Sequence, residues 1–464
     1  MSSRSRSRDL ALPPPLAGLG PLARRRRGPS LGNKLAGAAY LGASVLGAVN
    51  AWNAHRPLAW TGRASVASFA AGFVTSEVPQ GSLALAVAQT ASAVAAGAHR
   101  TPTGRAGLAL TLGTAVALGG LNQRAKPSAS IADAALRDAL GVDYLDRIAH
   151  PTFPDSNITL GRQPGVLRML RVNRRYAHAS DIGYGPAGAR NTLDVWARDD
   201  LPRDGRAPVL FQVHGGAWMV GNKLGQAYPL MSYLVERGWV AVSINYRLSP
   251  RSTWPDQILD VKRAMAWVKQ NIAEHGGDPD FVCITGGSAG GHLTALHALT
   301  AQDRLWQPGF EDVDTTVAAA VPFYGVYDWT NRDNNPDDDV RNLLEENVIK
   351  QPFATARALF DEASPMSHVR ADAPPFFALH GTNDTLVPVA QARSFVQRLR
   401  EVSTSPVAYA EFPGAHHAFD IFSSQRSTAS ASAVQRFLGV VYGEHQARLR
   451  GTTDGLAATG PLAG

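Results

Sequence analysis

The chain has 464 residues, 45% of them hydrophobic, and a formal net charge of +7. It is too long for one small domain and apolar enough to bury a large core. Its single cysteine, Cys283, excludes an internal disulfide. Seven arginines against one aspartate fall within residues 1–27, so the basic balance belongs to a local tail and not to a nucleic-acid-binding face.

Residues 1–30 carry Arg4, Arg6, Arg8, three consecutive prolines and Arg24 to Arg27, and read as a disordered basic tail. From 31 to 121 the composition turns to Ala, Gly, Leu and Val. Apolar runs at about 35–52, 64–78, 82–98 and 106–121 are separated by Arg56 to Arg63, Pro79-Gln80-Gly81 and Arg100 to Arg105. A signal peptide also pairs a basic run with an apolar one, but here further apolar segments follow. A soluble bundle of Ala-rich helices would show polar faces. The expectation is a multi-pass region of two to four helices in the cell membrane, in contact with its lipids. Arg24–Arg27 would hold the N-terminus in the cytoplasm. Three spans would place the later domain outside and four inside; the loop charges are too evenly spread to choose.

Residues 122–175 read as a linker with helices at 131–140 and 166–175, forming either a cap over a pocket or a juxtamembrane surface. From 176 to 445 strands alternate with helices. Strands are predicted at 176–184, 192–197, 208–213, 239–245, 281–285, 317–324, 376–379 and 407–412. Ile258, Val261, Met265, Val268 and Ile272 stripe one helix. The first two strands read as antiparallel. The rest imply a mainly parallel sheet with helices on both faces, an α/β fold. The long segment 326–370, with Tyr327, Trp329 and Asp337 to Asp339, reads as a cap insertion walling a pocket. Residues 446–464 read as a disordered tail.

Chemistry concentrates just after the predicted strands. Gly286, Ser288 and Gly290 form G-x-S-x-G between a strand and a helix. This pattern suits a sharp elbow that exposes a serine hydroxyl at a helix N-terminus. The pattern alone is weak, and its context decides. His214-Gly215-Gly216-Ala217 follows the strand at 208–213. The amides of Gly215 and Gly216, with that of Ala289, are the candidate oxyanion donors, and His214 is read as a brace. Asp384 follows the strand at 376–379 and His417 the strand at 407–412, giving the order Ser, Asp, His. Ser288 is therefore the candidate nucleophile, His417 the base and Asp384 its orienter, with His416 a loop residue. The alternative for Asp384 is a helix N-cap before Val387-Pro388. No zinc-type Cys/His spacing or phosphate-binding loop occurs, so no metal and no cofactor is expected.

Together the His-Gly-Gly loop, the Gly-Gly-Ser-Ala-Gly-Gly elbow, Gly381-Thr382-Asn383-Asp384 and His417-Ala418-Phe419 resemble the hormone-sensitive-lipase-like branch of the α/β-hydrolases. Tyr246-Arg247-Leu248-Ser249-Pro250 is similar to that branch's Tyr-Arg-Leu-x-Pro segment. The resemblance spans residues 176–445. It implies an α/β-hydrolase fold with a helical cap and a serine carboxylesterase or lipase acting on short to medium acyl esters. The N-terminal texture is similar to membrane-associated bacterial carboxylesterases. Ala217 stands where the family usually has a third glycine, so its Cβ would narrow the oxyanion loop and leave the substrate open. An amide or formamide hydrolase, an acyltransferase, and a non-catalytic binding protein on the same fold are the alternatives. Nothing in the sequence sets an oligomeric state.

Overall fold

The computed structural model describes residues 28–150, 172, 175–203, 206–332 and 338–458; side chains are described for 340–451 of the last segment. The basic tail, most of the predicted helix at 166–175 and the run Asp337 to Asp339 lie outside the described side chains.

Eight strands form one sheet. They are β1 (Ala177–Gly183), β2 (Thr192–Trp196), β3 (Ala207–Val213), β4 (Val240–Ile244), β5 (Gly277–Gly287), β6 (Ala319–Phe323), β7 (Phe376–Gly381) and β8 (Val407–Phe412). Their order is β1-β2-β4-β3-β5-β6-β7-β8. β1 and β2 pair antiparallel, as does β2 with β4, and all later pairs are parallel. The central strands read as unbroken apolar runs because both faces are covered. One core lies under the helix Asp256–Asn271, the other under the helix beginning at Gln425. That last helix continues to Ala458, which corrects the expected tail from 446. Its early turns are anchored in the core by Phe437, Leu438 and Val441, and adding residues to a nucleated helix needs little more.

The N-terminal region forms five helices: α1 (Leu31–His55), α2 (Arg63–Glu77), α3 (Pro79–Ala95), α4 (Pro102–Ala125) and α5 (Ser128–Leu140). α1 and α4 run parallel. Gly37 lies beside Gly104 near their starts, and His55 Nε2 lies 2.7 Å from the Ala117 carbonyl near their ends. α3 runs the other way, with Gln80 bonded to Asn122 at one end and Asn33 to the Ala96 carbonyl at the other. α5 does not line the catalytic cavity, so it is not a cap over that pocket. Its buried face joins the core with β8 and the C-terminal helix, where Asp133 accepts from Tyr144 and Arg436.

α2 departs furthest from expectation. It lies on the catalytic domain and is not one more span. Its buried face is Ser65, Ser68, Gly72, Thr75, Ser76 and Glu77, polar or small throughout, and cannot face lipid. Glu77 is fully buried and receives Arg426 Nη1 at 2.7 Å and Ser424 Oγ at 2.8 Å. Arg426 also donates to the Pro413 carbonyl at 3.0 Å.

A buried pair like this resists loss of one partner, because the other is left as an uncompensated charge. Arg426→Met should destabilise the protein by about 3–5 kcal/mol. The double variant Glu77→Leu, Arg426→Met should recover most of that loss. Chemical denaturation of the three proteins in one detergent measures both effects.

Candidate active site

β5 ends where the chain must turn without side chains. A Cβ on Gly286 would lie 2.5 Å from the Val213 carbonyl, and one on Gly290 would lie 2.2 Å from the same oxygen. The elbow therefore nests against the end of β3 only because both positions are glycine. Between them Ser288 adopts φ 59°, ψ −124°, a conformation L-residues rarely hold. The Ser288 amide donates to the Phe323 carbonyl at 3.0 Å, which fixes the turn. Ala289 opens the helix Ala289–Leu299, whose N-terminal dipole end points at Ser288.

The loop after β3 approaches the elbow. His214 is fully buried, stacked on Tyr246 at 4.2 Å, with Nδ1 2.7 Å from the Gly215 carbonyl. The Tyr246 hydroxyl donates to the His214 carbonyl at 2.9 Å. Burial pulls the His214 pKa down to about 4, so it is a neutral brace at physiological pH. Gly215 is not a free donor. Its N–H donates to Gln226 Oε1 at 2.7 Å, which corrects its expected place among the oxyanion donors. Among the described residues, the amides of Gly216, Ala217 and Ala289 have no hydrogen-bond acceptor. Gly216 and Ala217 both have positive φ, 122° and 51°, which turns this loop around the cavity. Ala217 thus has an unengaged amide beside Gly216, and it lines the cavity.

Asp384 and His417 meet beyond β7 and β8. Asp384 Oδ2 lies 2.7 Å from His417 Nδ1. Its Oδ1 accepts from the Leu386 and Val387 amides at 2.9 and 2.8 Å and so holds that turn, while the helix Val389–Val402 has Pro388 at its N-cap and is not capped by Asp384. His380 Nε2 stands 3.2 Å from Oδ2. Burial would raise the Asp384 pKa, but the charges and hydrogen bonds of His417 and His380 outweigh it and hold the carboxyl well below the usual range. A carboxylate on Nδ1 leaves His417 Nε2 available to the cavity. His416 turns away, with Nε2 3.1 Å from the Ala54 carbonyl of α1.

Ser288, His417, Gly215, Gly216, Ala217 and Tyr324 line one cavity of about 730 Å³. Val326, Val340 and Leu343 of the 326–370 insertion wall one side. The opposite wall is N-terminal: Trp60, Ser65, Val66 and Phe69. Phe69 presents its ring edgewise to His417, with centroids 5.8 Å apart. The Asn383 side chain donates to the His55 carbonyl at 3.0 Å and Thr385 to the Ser65 carbonyl at 3.2 Å. The first two apolar segments thus hold both loops that carry Asp384 and His417.

With this geometry in place, known proteins are informative. The BD-FAE family model matches residues 193–399. A probable carboxylic ester hydrolase of Mycobacterium tuberculosis, LipM, is 50% identical over 88% of this chain and 95% of its own. The chain belongs to the α/β-hydrolase carboxylic ester hydrolases. The esterase LipQ of the same organism is 51% identical over 74% of this chain and 81% of its own. The match to LipM takes in much of the N-terminal helical region as well as the hydrolase domain. A truncated carbohydrate esterase from gut microbiota superposes with TM-score 0.50 at 22% identity, covering 57% of this chain and 97% of its own, and so shares the fold. This ester hydrolase therefore has the expected class of activity and fold.

Three residues near the site escaped the sequence reading. Gln226 holds the oxyanion loop, and His380 sits four residues before Asp384, a spacing that was visible. Tyr324 lies tilted against His417, ring centroids 4.5 Å apart, and donates its hydroxyl to Asp420. Burial pushes the Asp420 pKa up to about 6, against opposing hydrogen bonds from Tyr324 and its own backbone and the charge of His417.

Gln226→Leu would leave the Gly215 amide unpaired, costing about 1–3 kcal/mol. The expected outcome is that loss of folding stability, checked by chemical denaturation of the variant beside the wild type.

Proposed function

We propose that this ester hydrolase is a serine carboxylesterase of short to medium acyl esters, working through Ser288, His417 and Asp384. The observation that carries the reading is the 2.7 Å contact of Asp384 with His417 Nδ1, in a cavity shared with a serine on a strained elbow. Ser288 Oγ attacks the ester carbonyl while its proton passes to His417 Nε2. Negative charge moves to the carbonyl oxygen, which the amides of Gly216, Ala217 and Ala289 receive. Collapse of the tetrahedral adduct breaks the alkoxy bond, and His417 returns the proton to the departing alcohol. Water then repeats the sequence on the acyl-enzyme. Asp384 holds the imidazole tautomer and stabilises its cation. These steps use only side chains, backbone amides and water.

The N-terminal helices are read as a multi-pass membrane region. Support comes from Leu31–His55 and Pro102–Leu140, each containing a helix long and apolar enough to cross a bilayer. α2 is excluded from the spans by its contacts with the hydrolase domain.

Ser288→Ala in the folded full chain should abolish nitrophenyl ester turnover, and Asp384→Asn should lower kcat by about 10⁴-fold. His417→Ala should match Ser288→Ala, and His416→Ala should retain activity. Undiminished turnover in Ser288→Ala overturns the reading.

A further inference from the structure

The helices α1, α3 and α4 are built inside out for water. Their mutual contacts are mostly polar or small, with Leu118 and Leu121 of α4 packed on Ala51 and Ala54 of α1. The Tyr40 hydroxyl meets Thr90 at 2.7 Å and Thr111 at 3.0 Å, Ser44 meets Thr111 at 3.0 Å, and Gly37 and Gly107 admit close neighbours. Other large apolar side chains point outward, among them Leu35, Leu46, Val49, Leu85, Val87, Leu112 and Val116. Small residues and hydrogen bonds inside, with leucine and valine outside, is the arrangement that suits lipid. The dimensions agree. Between Lys34 and Arg56 α1 carries no Asp, Glu, Lys or Arg, a belt about 30 Å long at 1.5 Å per residue, which matches a bilayer's hydrocarbon core. Between Arg105 and Arg124 α4 is likewise free of them. Arg56, Arg63, Arg124 and Lys126 gather at the end beside the hydrolase domain, and Lys34, Arg100 and Arg105 at the far end. Trp52 and Trp60, both exposed, stand near the first ring of charges, where aromatic side chains favour the membrane interface.

The mouth of the catalytic cavity opens at that same end. Six residues both line the cavity and remain exposed: the apolar Trp60 (47%), Val66 (56%) and Val220 (62%), and the polar Arg63, Asn342 and Glu346. The apolar three come from the α1–α2 connection, from α2 and from the oxyanion loop, so the rim is apolar there and polar where Asn342 and Glu346 stand. Leu58, next to Trp60 and 59% exposed, extends the apolar surface without lining the cavity. Arg63 also lines the mouth, at headgroup level relative to the belt.

We propose that the physiological substrate is a long-chain acyl ester dissolved in the bilayer, entering the cavity sideways from the lipid past Trp60, Val66 and Val220. This rests on the serine esterase reading of the same cavity and extends its acyl range from short and medium chains to long ones. The cavity takes the ester group and the nearest carbons, and the remainder of the molecule stays in the membrane through the apolar side of the mouth. A short soluble ester is turned over as well, because it needs only the cavity.

The test reconstitutes the full chain in phosphatidylcholine vesicles. Dioleoylglycerol is supplied at one bulk concentration, either in those vesicles or in separate protein-free ones, with nitrophenyl butyrate as the soluble control. Entry from the membrane predicts a rate at least tenfold higher when enzyme and dioleoylglycerol share a bilayer. It also predicts that diluting the ester with added phosphatidylcholine in the shared bilayer lowers the rate in proportion. Leu58→Glu should keep butyrate turnover within twofold and lose at least tenfold on dioleoylglycerol. Equal rates from shared and separate vesicles overturn the proposal, as does butyrate turnover with no dioleoylglycerol turnover; both leave the esterase reading standing. Failure on both esters overturns the esterase reading itself. If Leu58→Glu loses both activities, the wild-type vesicle comparison alone decides.

Discussion

Everything at the site depends on a steric constraint at the ends of two neighbouring strands. β3 and β5 pair in register up to Val213 and Gly286, and their following loops must then share one small volume. A single methyl at Gly286 or Gly290 would drive the elbow off the Val213 carbonyl. Because no methyl is there, the loop from His214 to Ala217 packs against the turn that lifts Ser288, and both line one cavity. Catalytic preorganisation here is close packing of backbone, with the strain of Ser288 held by the sheet beneath it.

Around that point the molecule uses two kinds of support. Some are local to the fold: His214 on Tyr246, Gln226 on Gly215, Asp384 on the turn at 386–387. The others come from the N-terminal helices. Ala54, His55 and Ser65 offer backbone carbonyls to His416, Asn383 and Thr385, and Phe69 covers the His417 ring. The helical region is thus a wall and a clamp as well as an apolar region. A fragment starting near residue 128 would lack one side of its own active site.

This division also explains what could be read in the sequence. Ser288, Asp384 and His417 were legible because each follows a buried strand, and strand ends in such sheets are where chemistry is placed. The sheet itself was legible from alternating apolar runs. The role of Gly215 was not, because a glycine's amide says nothing about whether a side chain eleven residues away will occupy it. α2 was misread because Ala, Gly, Ser and Phe satisfy two environments equally well. Only its polar stripe, ending in Glu77 opposite Arg426, distinguishes a protein-facing helix from a lipid-facing one, and Arg426 lies 349 positions away. Tyr324 and Asp420 are a similar case: neither is unusual alone, and their meaning comes from the Tyr324 ring lying against His417 while its hydroxyl bonds Asp420.

The distance along the chain between the clamp and what it clamps has a consequence for biosynthesis. The contacts of Ala54 with His416 and of His55 with Asn383 join residues 362 and 328 positions apart. The helices leave the ribosome first, and the loops they dock on leave among the last. α2 must therefore wait, with Glu77 unpaired, while the whole sheet is synthesised and folded. Contacts of such long range close late, because ordering the intervening chain precedes them. Assembly of this enzyme ends at its active site.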